Sequence, residues 1–446
     1  YERRYRARFV DAPQPKITAA EVSVDFYPET SEATIHQHLT LENRSGSPVE
    51  EVLLSVTPDI TVERLSVNRG FTLRDDPSTG VRIVELGEPL AAGGSLEVDG
   101  ELRITHQGFT NDERDRSVVE NGSFLLSLSL VRVGYHEDAE LSDDDDRRKH
   151  KLPLKERMRP MDDPKGLTQN AVTPDADWIR FAATVSTAKD QEGIAPGYLE
   201  RTWDEGERRF FRYAMTAPIL NIYAFQSARY LVRKDRWRDV DLEVHYHPGH
   251  EFNLDRMLEA TKASLDYFTE KFSPYQHKVF RIVEFPRYAT FAMSLPNTVP
   301  FSEAIGFVAK VDEHDEKDVD YPFYVTSHET AHQWWAHQVT PANVRGAAVP
   351  SETLSQYSAL MVMKHARGRE HMGRFLRHEM NRYLVGRSFE RKKERPLLHV
   401  ETQPYIYYQK GSVIMYALQD FIGEEAINTA LRKLIAKKGY RADPYP

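Results

Sequence analysis

Hydrophobic and polar residues alternate with a period of two along most of the first half of the chain. The alternation is clear in EVSVDF at 21–26 and TIHQHLTL at 34–41, and it recurs in LEVDGELRI at 96–104 and FLLSLSLVRV at 124–133. Side chains two positions apart lie on the same face of a strand, and clusters of Gly, Asn, Asp and Pro separate the runs. The pattern predicts an antiparallel β domain, a saddle or a sandwich, over residues 1–247.

The period changes after residue 250. The segment NLDRMLEATKASLDYFTEKF at 253–272 has its apolar residues on one helical stripe, with Asn253 as the predicted N-cap. A short apolar strand pattern follows in KVFRIVEF at 278–285, and helical patterns dominate from residue 321. These features predict a second, α/β domain rich in helices over residues 248–446, with the boundary near residue 247.

The segment DDDDRRKHKLPLKERMRP at 143–160 interrupts the first half with blocks of like charge and prolines. Because like charges repel and are costly to bury, this stretch is predicted to be a solvated loop. The chain opens with YERRYRARFV and closes with ADPYP. Neither end resembles a natural start or a natural helix stop, so the chain is expected to be a piece of a longer protein, truncated at its C-terminal end.

Composition narrows the chemistry. The chain has 446 residues, and 40% of them are hydrophobic. Its formal net charge is −9, and its acidic and basic residues are interspersed, so the sequence shows no basic patch of the kind that binds nucleic acid. No apolar run approaches the roughly 18 residues of a membrane span. There are no cysteines. Thiolate metal sites and cysteine nucleophiles are therefore excluded, and a bound metal must use His and carboxylate ligands.

The segment SHETAHQWWAHQV at 327–339 carries such ligands. His328 and His332 are four residues apart and leave the same face of a helix, and Glu329 can reach a water on a shared metal. Asp320 and Pro322 provide a suitable helix start. The alternative is a chance match of H-E-x-x-H on an ordinary helix.

A catalytic zinc site needs a third protein ligand. Downstream, VPSETLSQYSALM at 349–361 begins a second helix, with Ser351 as the predicted N-cap and Glu352 in the first turn. The helix dipole there favours an ionised carboxylate. We therefore predict one Zn²⁺ per chain, held by His328, His332 and Glu352.

These motifs resemble those of the gluzincin aminopeptidases of the aminopeptidase N type, which have a thermolysin-like catalytic domain. The family spacing from the second histidine to the glutamate is eighteen residues, whereas residues 333–351 make nineteen here. The chain looks closest to a bacterial subgroup in which such a domain is fused to ABC-transporter permease segments. The resemblance implies a membrane-tethered parent protein with transmembrane permease partners outside this chain.

Two further family elements have counterparts. In YIYYQKGSV at 405–413, Tyr408 precedes Lys410 and Gly411 as the family tyrosine does, with Tyr405 and Tyr407 as competing candidates. The Gly-x-Met-Glu-Asn element is altered, because FAMSLPN has Ser294 where the acid stands. SEAIGFV at 302–308 supplies Glu303 as the candidate that binds the substrate ammonium group.

The resemblance implies a zinc metallopeptidase that removes N-terminal residues from peptides, with Glu329 as general base and Tyr408 as oxyanion donor. Two alternatives remain: an inactive zinc- or peptide-binding module of a membrane transporter assembly, and a zinc endopeptidase.

Other polar clusters carry weaker predictions. On a strand, His245 and His247 of VHYHPGH share a face, and together with His250 they are candidates for a second metal site. No carboxylate lies at a spacing from these histidines that is typical of a metal ligand. His337 is assigned to the surroundings of the site or to the surface. The basic run at 387–396 is predicted to be a solvated loop, and the two tryptophans at 334 and 335 are predicted to pack in the core.

Overall fold

The computed structural model describes residues 1–105, 117–312, 314–315 and 318–441. The chain forms two compact units. The first comprises residues 1–156 and 173–229, and the second comprises residues 157–172 and the chain from Tyr230 onward. The C-terminal segment at 442–446, on which the predicted truncation partly rested, lies outside the described residues.

The first unit is built almost entirely of strands. Its elements are α1 (Glu2–Phe9), β1 (Lys16–Tyr27), β2 (Glu32–Glu42), β3 (Val49–Ser55), β4 (Thr61–Val67), β5 (Phe71–Asp76), β6 (Val81–Leu90), β7 (Ser95–Ile104), β8 (Ser123–Leu126), β9 (Arg132–Val133), α2 (Asp144–Lys149), β10 (Ala176–Ala188), β11 (Glu192–Ile194), β12 (Tyr198–Glu205), β13 (Arg208–Ala214), β14 (Ile219–Leu220) and β15 (Ala224–Ala228).

The largest sheet of the first unit has the strand order β12-β13-β10-β1-β2-β7-β4, with β14 paired to β10. The predicted alternation is present in β1, where Val22, Val24 and Phe26 are fully buried and face the core. The strand β1 is antiparallel to β2 but parallel to β10, so the sheet is mixed. The predicted β-rich first domain is confirmed, and the parallel pair is a departure from the antiparallel prediction.

The charged stretch at 143–160 is only partly the predicted loop. Residues 144–149 form α2, whose N-cap Asp143 accepts hydrogen bonds from the backbone N–H groups of residues 145 and 146. Arg147 is 1% exposed because its guanidinium makes two hydrogen bonds to the carboxylate of Glu2, at 2.8 and 2.9 Å. A buried charge is tolerated when it is paired in this way, and the pairing explains why the loop prediction was incomplete.

The second unit combines a four-stranded sheet with helices. Its elements are β16 (Leu231–Trp237), β17 (Val240–Tyr246), α3 (Leu254–Lys271), β18 (Val279–Phe285), β19 (Thr298–Ser302), α4 (Tyr321–Ala331), α5 (Leu354–Arg367), α6 (Arg369–Phe389), α7 (Gly411–Ile422) and α8 (Glu424–Lys438). The sheet order is β16-β17-β18-β19, in which the first pair is antiparallel and the next two pairs are parallel.

This sheet explains why the compact units divide at residue 229 and not near the predicted residue 247. The strand β17 alternates like the strands before it, but it pairs with β18 on one side and with β16 on the other, so both strands belong to the second unit. Sequence periodicity identifies a strand but does not identify its partner.

The helix α3 has the predicted apolar stripe, with Leu254, Met257, Leu265 and Phe268 all buried. Asn253 is the N-cap residue, as predicted, but its side chain makes no capping bond. Its amide instead donates to the carbonyl of Gly306 at 2.7 Å and to other carbonyls of that turn. No helix in the described part of the chain is both long enough and apolar enough to span a bilayer.

Candidate metal centre

The helix α4 presents the first histidine of the motif. Asp320 caps the helix by accepting a hydrogen bond from the backbone N–H of Phe323 at 3.2 Å, and Pro322 occupies the first turn. Both are the predicted start signals. His328 and Glu329 are 7% and 6% exposed, so the motif faces the interior of the unit and not the solvent.

His332 lies at the C-cap of α4, where the helix ends. Its Nδ1 lies 2.9 Å from the carbonyl oxygen of Trp335 and 3.1 Å from the hydroxyl of Ser355. Because a carbonyl can only accept, Nδ1 carries a proton, so the neutral imidazole has its lone pair on Nε2. A hydrogen bond of this kind fixes the orientation of a metal-binding imidazole.

Glu352 does not follow a simple helix N-cap as predicted. Residues Val349–Thr353 form a π-helical turn that leads into α5, and Ser351 donates its hydroxyl to the carbonyl of Ala347 at 3.3 Å. The prediction that Ser351 caps the helix is wrong, because the backbone is already helical at Ala348. Single π turns often occur at functional sites, and this one directs Glu352 toward the histidines.

Three ligand atoms converge at one point. The Nε2 atoms of His328 and His332 lie 3.0 Å apart, and they lie 3.4 and 3.3 Å from Oε2 of Glu352. A tetrahedral zinc with bonds of about 2.0–2.2 Å would hold its ligand atoms about 3.3–3.6 Å apart. Oε2 of Glu352 is buried without a hydrogen-bond partner among the described residues. The two distances to Glu352 lie in this range, and the distance between the imidazoles is about 0.3 Å shorter. The donor set and the buried oxygen fit a zinc ion, with a small separation of the imidazoles.

The charges of the cluster are strongly coupled. Burial alone would raise the pKa of Glu352, but His332 and His328 outweigh burial and hold this pKa well below its usual range. Burial alone would lower the pKa of His332, and the nearby carboxylate of Glu352 instead raises it to about 9. The carboxylate is therefore ionised, which is the form that binds a metal.

Glu329 lies beside the three converging side chains. Its carboxylate accepts a hydrogen bond from the backbone N–H of Ser294. Burial raises the pKa of Glu329, although His328 and His332 partly offset that effect. A carboxylate with a raised pKa is a better proton acceptor than an ordinary surface glutamate.

Tyr408 lies on a second π-helical turn, Tyr405–Lys410, which leads into α7. The two π turns are in direct contact, since the hydroxyl of Thr353 donates to the carbonyl of Tyr407 at 2.8 Å. A Cβ added at Gly411 would lie 2.9 Å from Cγ2 of Thr353. The glycine therefore permits the close approach that brings Tyr408 to Glu352.

Among the three candidate tyrosines, Tyr408 has the closest association with the cluster. Its ring lies 5.8 Å from that of His328, and its hydroxyl interacts with Glu352. Burial and the charge of Glu352 raise its pKa, so the phenol keeps its proton. The carboxylate of Glu352 also helps to raise the pKa of Tyr407 to about 12. Tyr405 packs against Tyr383 instead.

Glu303 is not brought into this cluster. It follows β19, where its carboxylate accepts a hydrogen bond from the backbone N–H of Arg287 at 3.1 Å and lies 3.9 Å from His250. Met293, beside Ser294, pairs with Pro300 of β19. At about 3.3 Å per strand residue, Glu303 lies about 10 Å further along the strand than Pro300.

Sequence reasoning missed the contacts that attach the Ser294 segment to the end of α4. The amide of Gln333 donates to the hydroxyl of Ser294 at 2.7 Å and to the carbonyl of Leu295 at 2.8 Å. His337 is buried, and its Nε2 lies 3.1 Å from the Ser294 carbonyl. The sequence offers only a glutamine directly after the motif as a signal, and the partners of Gln333 lie about 40 positions away.

The remaining sequence predictions near the centre have clear outcomes. Trp334 and Trp335 are fully buried, which confirms that they pack in the core. The basic run at 387–396 is largely exposed, as predicted, but its acidic members are paired: Glu390 with Arg157 at 2.8 Å, and Glu394 with Lys410.

Comparisons with known proteins agree with this geometry. Residues 256–443 match the model of the peptidase family M1 domain. No curated protein matches the sequence. The fold resembles the M1 zinc metallopeptidase from Deinococcus radiodurans, with a TM-score of 0.62 and 14% identity, over 96% of this chain and 88% of the other.

A mutant of the Deinococcus radiodurans enzyme bound to the substrate Tyr-Ser-Ala gives a TM-score of 0.63 over the same shares of the two chains, also at 14% identity. The observed order, a β-rich unit followed by a helical unit, is that of these structures. The sequence at 256–443 is therefore similar to the peptidase family M1 domain, and the described residues have the fold of an M1 zinc metallopeptidase.

Proposed function

We propose that the protein is a zinc metallopeptidase that removes N-terminal residues from peptides. The observation that supports this most is the convergence of His328, His332 and Glu352 on one point, with Glu329 beside them and Tyr408 on the facing turn. Three protein ligands leave one position open for water or substrate, which is typical of catalytic and not of structural zinc.

The three converging side chains would hold Zn²⁺. When bound there, zinc would lower the pKa of water and polarise the carbonyl of the scissile bond. Trp335 and Ser355 keep the imidazole of His332 in the orientation that binding requires. Their contacts also fix which nitrogen carries the proton.

Glu329 acts as the general base. Its carboxylate takes a proton from the attacking water and later delivers that proton to the leaving amine, so that it returns to its starting state. Because the backbone N–H of Ser294 holds the carboxylate, the base is oriented before the substrate binds. Its raised pKa suits both halves of this transfer.

Tyr408 donates a hydrogen bond to the oxyanion of the tetrahedral intermediate. In the absence of substrate its hydroxyl lies against Glu352, and it exchanges this partner for the substrate oxygen. A single donor of this kind is typically worth about 3 kcal/mol of barrier.

An aminopeptidase also needs a group that binds the substrate ammonium ion, and Glu303 remains only a prediction for this role. Its distance from the Ser294 segment favours a second candidate function. An endopeptidase needs no ammonium anchor, and Ser294 stands where the resembling family has its acid.

One assay separates these functions. A tripeptide with a free amino terminus and its N-acetylated form are compared, with Glu329→Gln as the inactive control. Cleavage of the free peptide alone supports the aminopeptidase, and internal cleavage of both supports the endopeptidase. If neither is cleaved although zinc is bound, both enzyme functions fail and the protein is a zinc- or peptide-binding module. A tether to ABC-type permease segments remains a prediction from the resemblance.

A further inference from the structure

A second group of metal-ligating side chains lies at one edge of the sheet in the second unit. His250 follows β17, Glu284 is the second-last residue of β18, and Glu303 comes directly after β19. These three strands are neighbours and run parallel, so their carboxyl ends meet at the same edge. Ligands bind preferentially outside the carboxyl ends of parallel strands.

The two carboxylates are oriented by the backbone. One oxygen of Glu284 accepts from the N–H of His247 at 2.6 Å, and one oxygen of Glu303 accepts from the N–H of Arg287 at 3.1 Å. The second oxygen of each faces Nδ1 of His250: that of Glu284 in direct hydrogen-bond contact, and that of Glu303 at 3.9 Å. Three ligand atoms thus converge, one from the end of β18 and two from the segments that follow β17 and β19, all within 4.8 Å of one another.

A tight turn places His250 at this point. The N–H of His250 donates to the carbonyl of His247 at 3.1 Å, and Gly249 has a φ of +89°. A residue with a side chain adopts such a φ only with strain. The turn HPGH therefore holds the imidazole over the end of the neighbouring strand.

The cluster is buried and rich in negative charge. The side chain of Glu284 is 0% exposed, and those of Glu303 and His250 are 16% and 27% exposed. Two carboxylates around a single imidazole leave excess negative charge whenever both are ionised, and a divalent cation would neutralise it.

We propose that His250, Glu284 and Glu303 form a second divalent-cation site. It is separate from the zinc site formed by His328, His332 and Glu352, which is called the His328 centre below. One imidazole and two carboxylates suit Zn²⁺ or Mn²⁺. A cation there would replace the proton shared between His250 and Glu284 and would link the ends of β17, β18 and β19. The proposal does not depend on peptidase activity, since it uses none of the residues assigned to the zinc ligands, the base or the oxyanion donor. It does assign Glu303 to the cation instead of to the substrate ammonium group.

Zinc content after equilibrium dialysis against buffered Zn²⁺ tests the proposal. The unmodified chain is expected to retain about two equivalents. Both His250→Ala and Glu352→Gln are expected to retain about one, and the double variant close to none. His36→Ala removes an exposed histidine of β2 and serves as the matched control, which should bind as the unmodified chain does.

The proposal is overturned if His250→Ala binds as much zinc as the unmodified chain, or if Glu352→Gln binds none. Anomalous scattering at the zinc edge from crystals of the unmodified chain does not require a substituted protein. A peak between His250, Glu284 and Glu303 is the expected result. A peak at the His328 centre without one here would show that His250 only shares a proton with Glu284, and the proposal would be wrong.

Discussion

The contact between the two π turns makes a quantitative prediction at Gly411. A Cβ at this position would lie 2.9 Å from Cγ2 and 3.0 Å from Oγ1 of Thr353, whereas ordinary contacts begin near 3.5 Å. Gly411→Ala therefore requires the turns to separate by about half an ångström or the Thr353 side chain to shift. Overpacking of this kind typically costs about 1–3 kcal/mol.

The backbone of Gly411 opposes this cost. Its φ of −56° is helical, so alanine would gain about 1 kcal/mol from its higher helix propensity. The net change in the free energy of unfolding should thus lie between about 0 and 2 kcal/mol, destabilising. Catalysis should suffer more, because the two turns that must separate carry Glu352 and Tyr408.

Urea unfolding followed by circular dichroism and kcat on an aminoacyl-coumarin substrate measure the two effects. Gly373→Ala on α6 is the matched control, because no atom lies within 4 Å of a Cβ there and only the propensity gain of about 1 kcal/mol remains. Adding Thr353→Ser removes Cγ2 but keeps the hydroxyl that bonds to Tyr407, and it should restore part of kcat. If Gly411→Ala were as stabilising as Gly373→Ala and left kcat unchanged, the argument from close contact would be refuted.

Three further predictions concern substitutions of single side chains. Glu329→Gln should retain zinc but lose most of its kcat, and full activity would exclude Glu329 as the base. Tyr408→Phe should lower kcat by about 10²–10³-fold with little change in KM, since its hydrogen bond is made in the transition state; an equal rise in KM would indicate a substrate-binding role instead. Burial lowers the pKa of His277 to about 3 from 6.5. The neutral form is therefore favoured in the folded state, and its contribution to stability is complete above pH 6.5 and is lost as the pH falls toward 3. His277→Gln should flatten the pH dependence of the melting temperature in that range, and an unchanged slope relative to a His36→Gln control would contradict it.

The convergence of the zinc-ligand candidates could be anticipated because most of the information is local. His328 and His332 share a helix face by spacing alone, and an acid at the start of the next helix is within reach of both. The π turn that directs Glu352 was not foreseeable. Its geometry depends on packing against the turn of Tyr408, more than fifty residues later in the chain.

Non-local pairing accounts for what the sequence did not predict. The carboxylates near His250 come from the end of β18 and from the residue after β19, so the sequence around the histidines contains no sign of them. Arg147 is buried because of Glu2, far away in the sequence, and a charge pattern alone favours solvent. The boundary near residue 247 was misplaced for the same reason, because alternation does not identify the sheet to which a strand belongs.

The proposed function depends most on zinc at His328, His332 and Glu352. Its most direct test is the zinc content and peptidase activity of the unmodified chain beside His332→Ala, measured before and after chelation and again after adding back Zn²⁺. We expect activity in the unmodified chain to disappear with the chelator and to return with Zn²⁺, and His332→Ala to stay inactive throughout. Undiminished cleavage by His332→Ala, or by the fully chelated protein, would contradict the assignment.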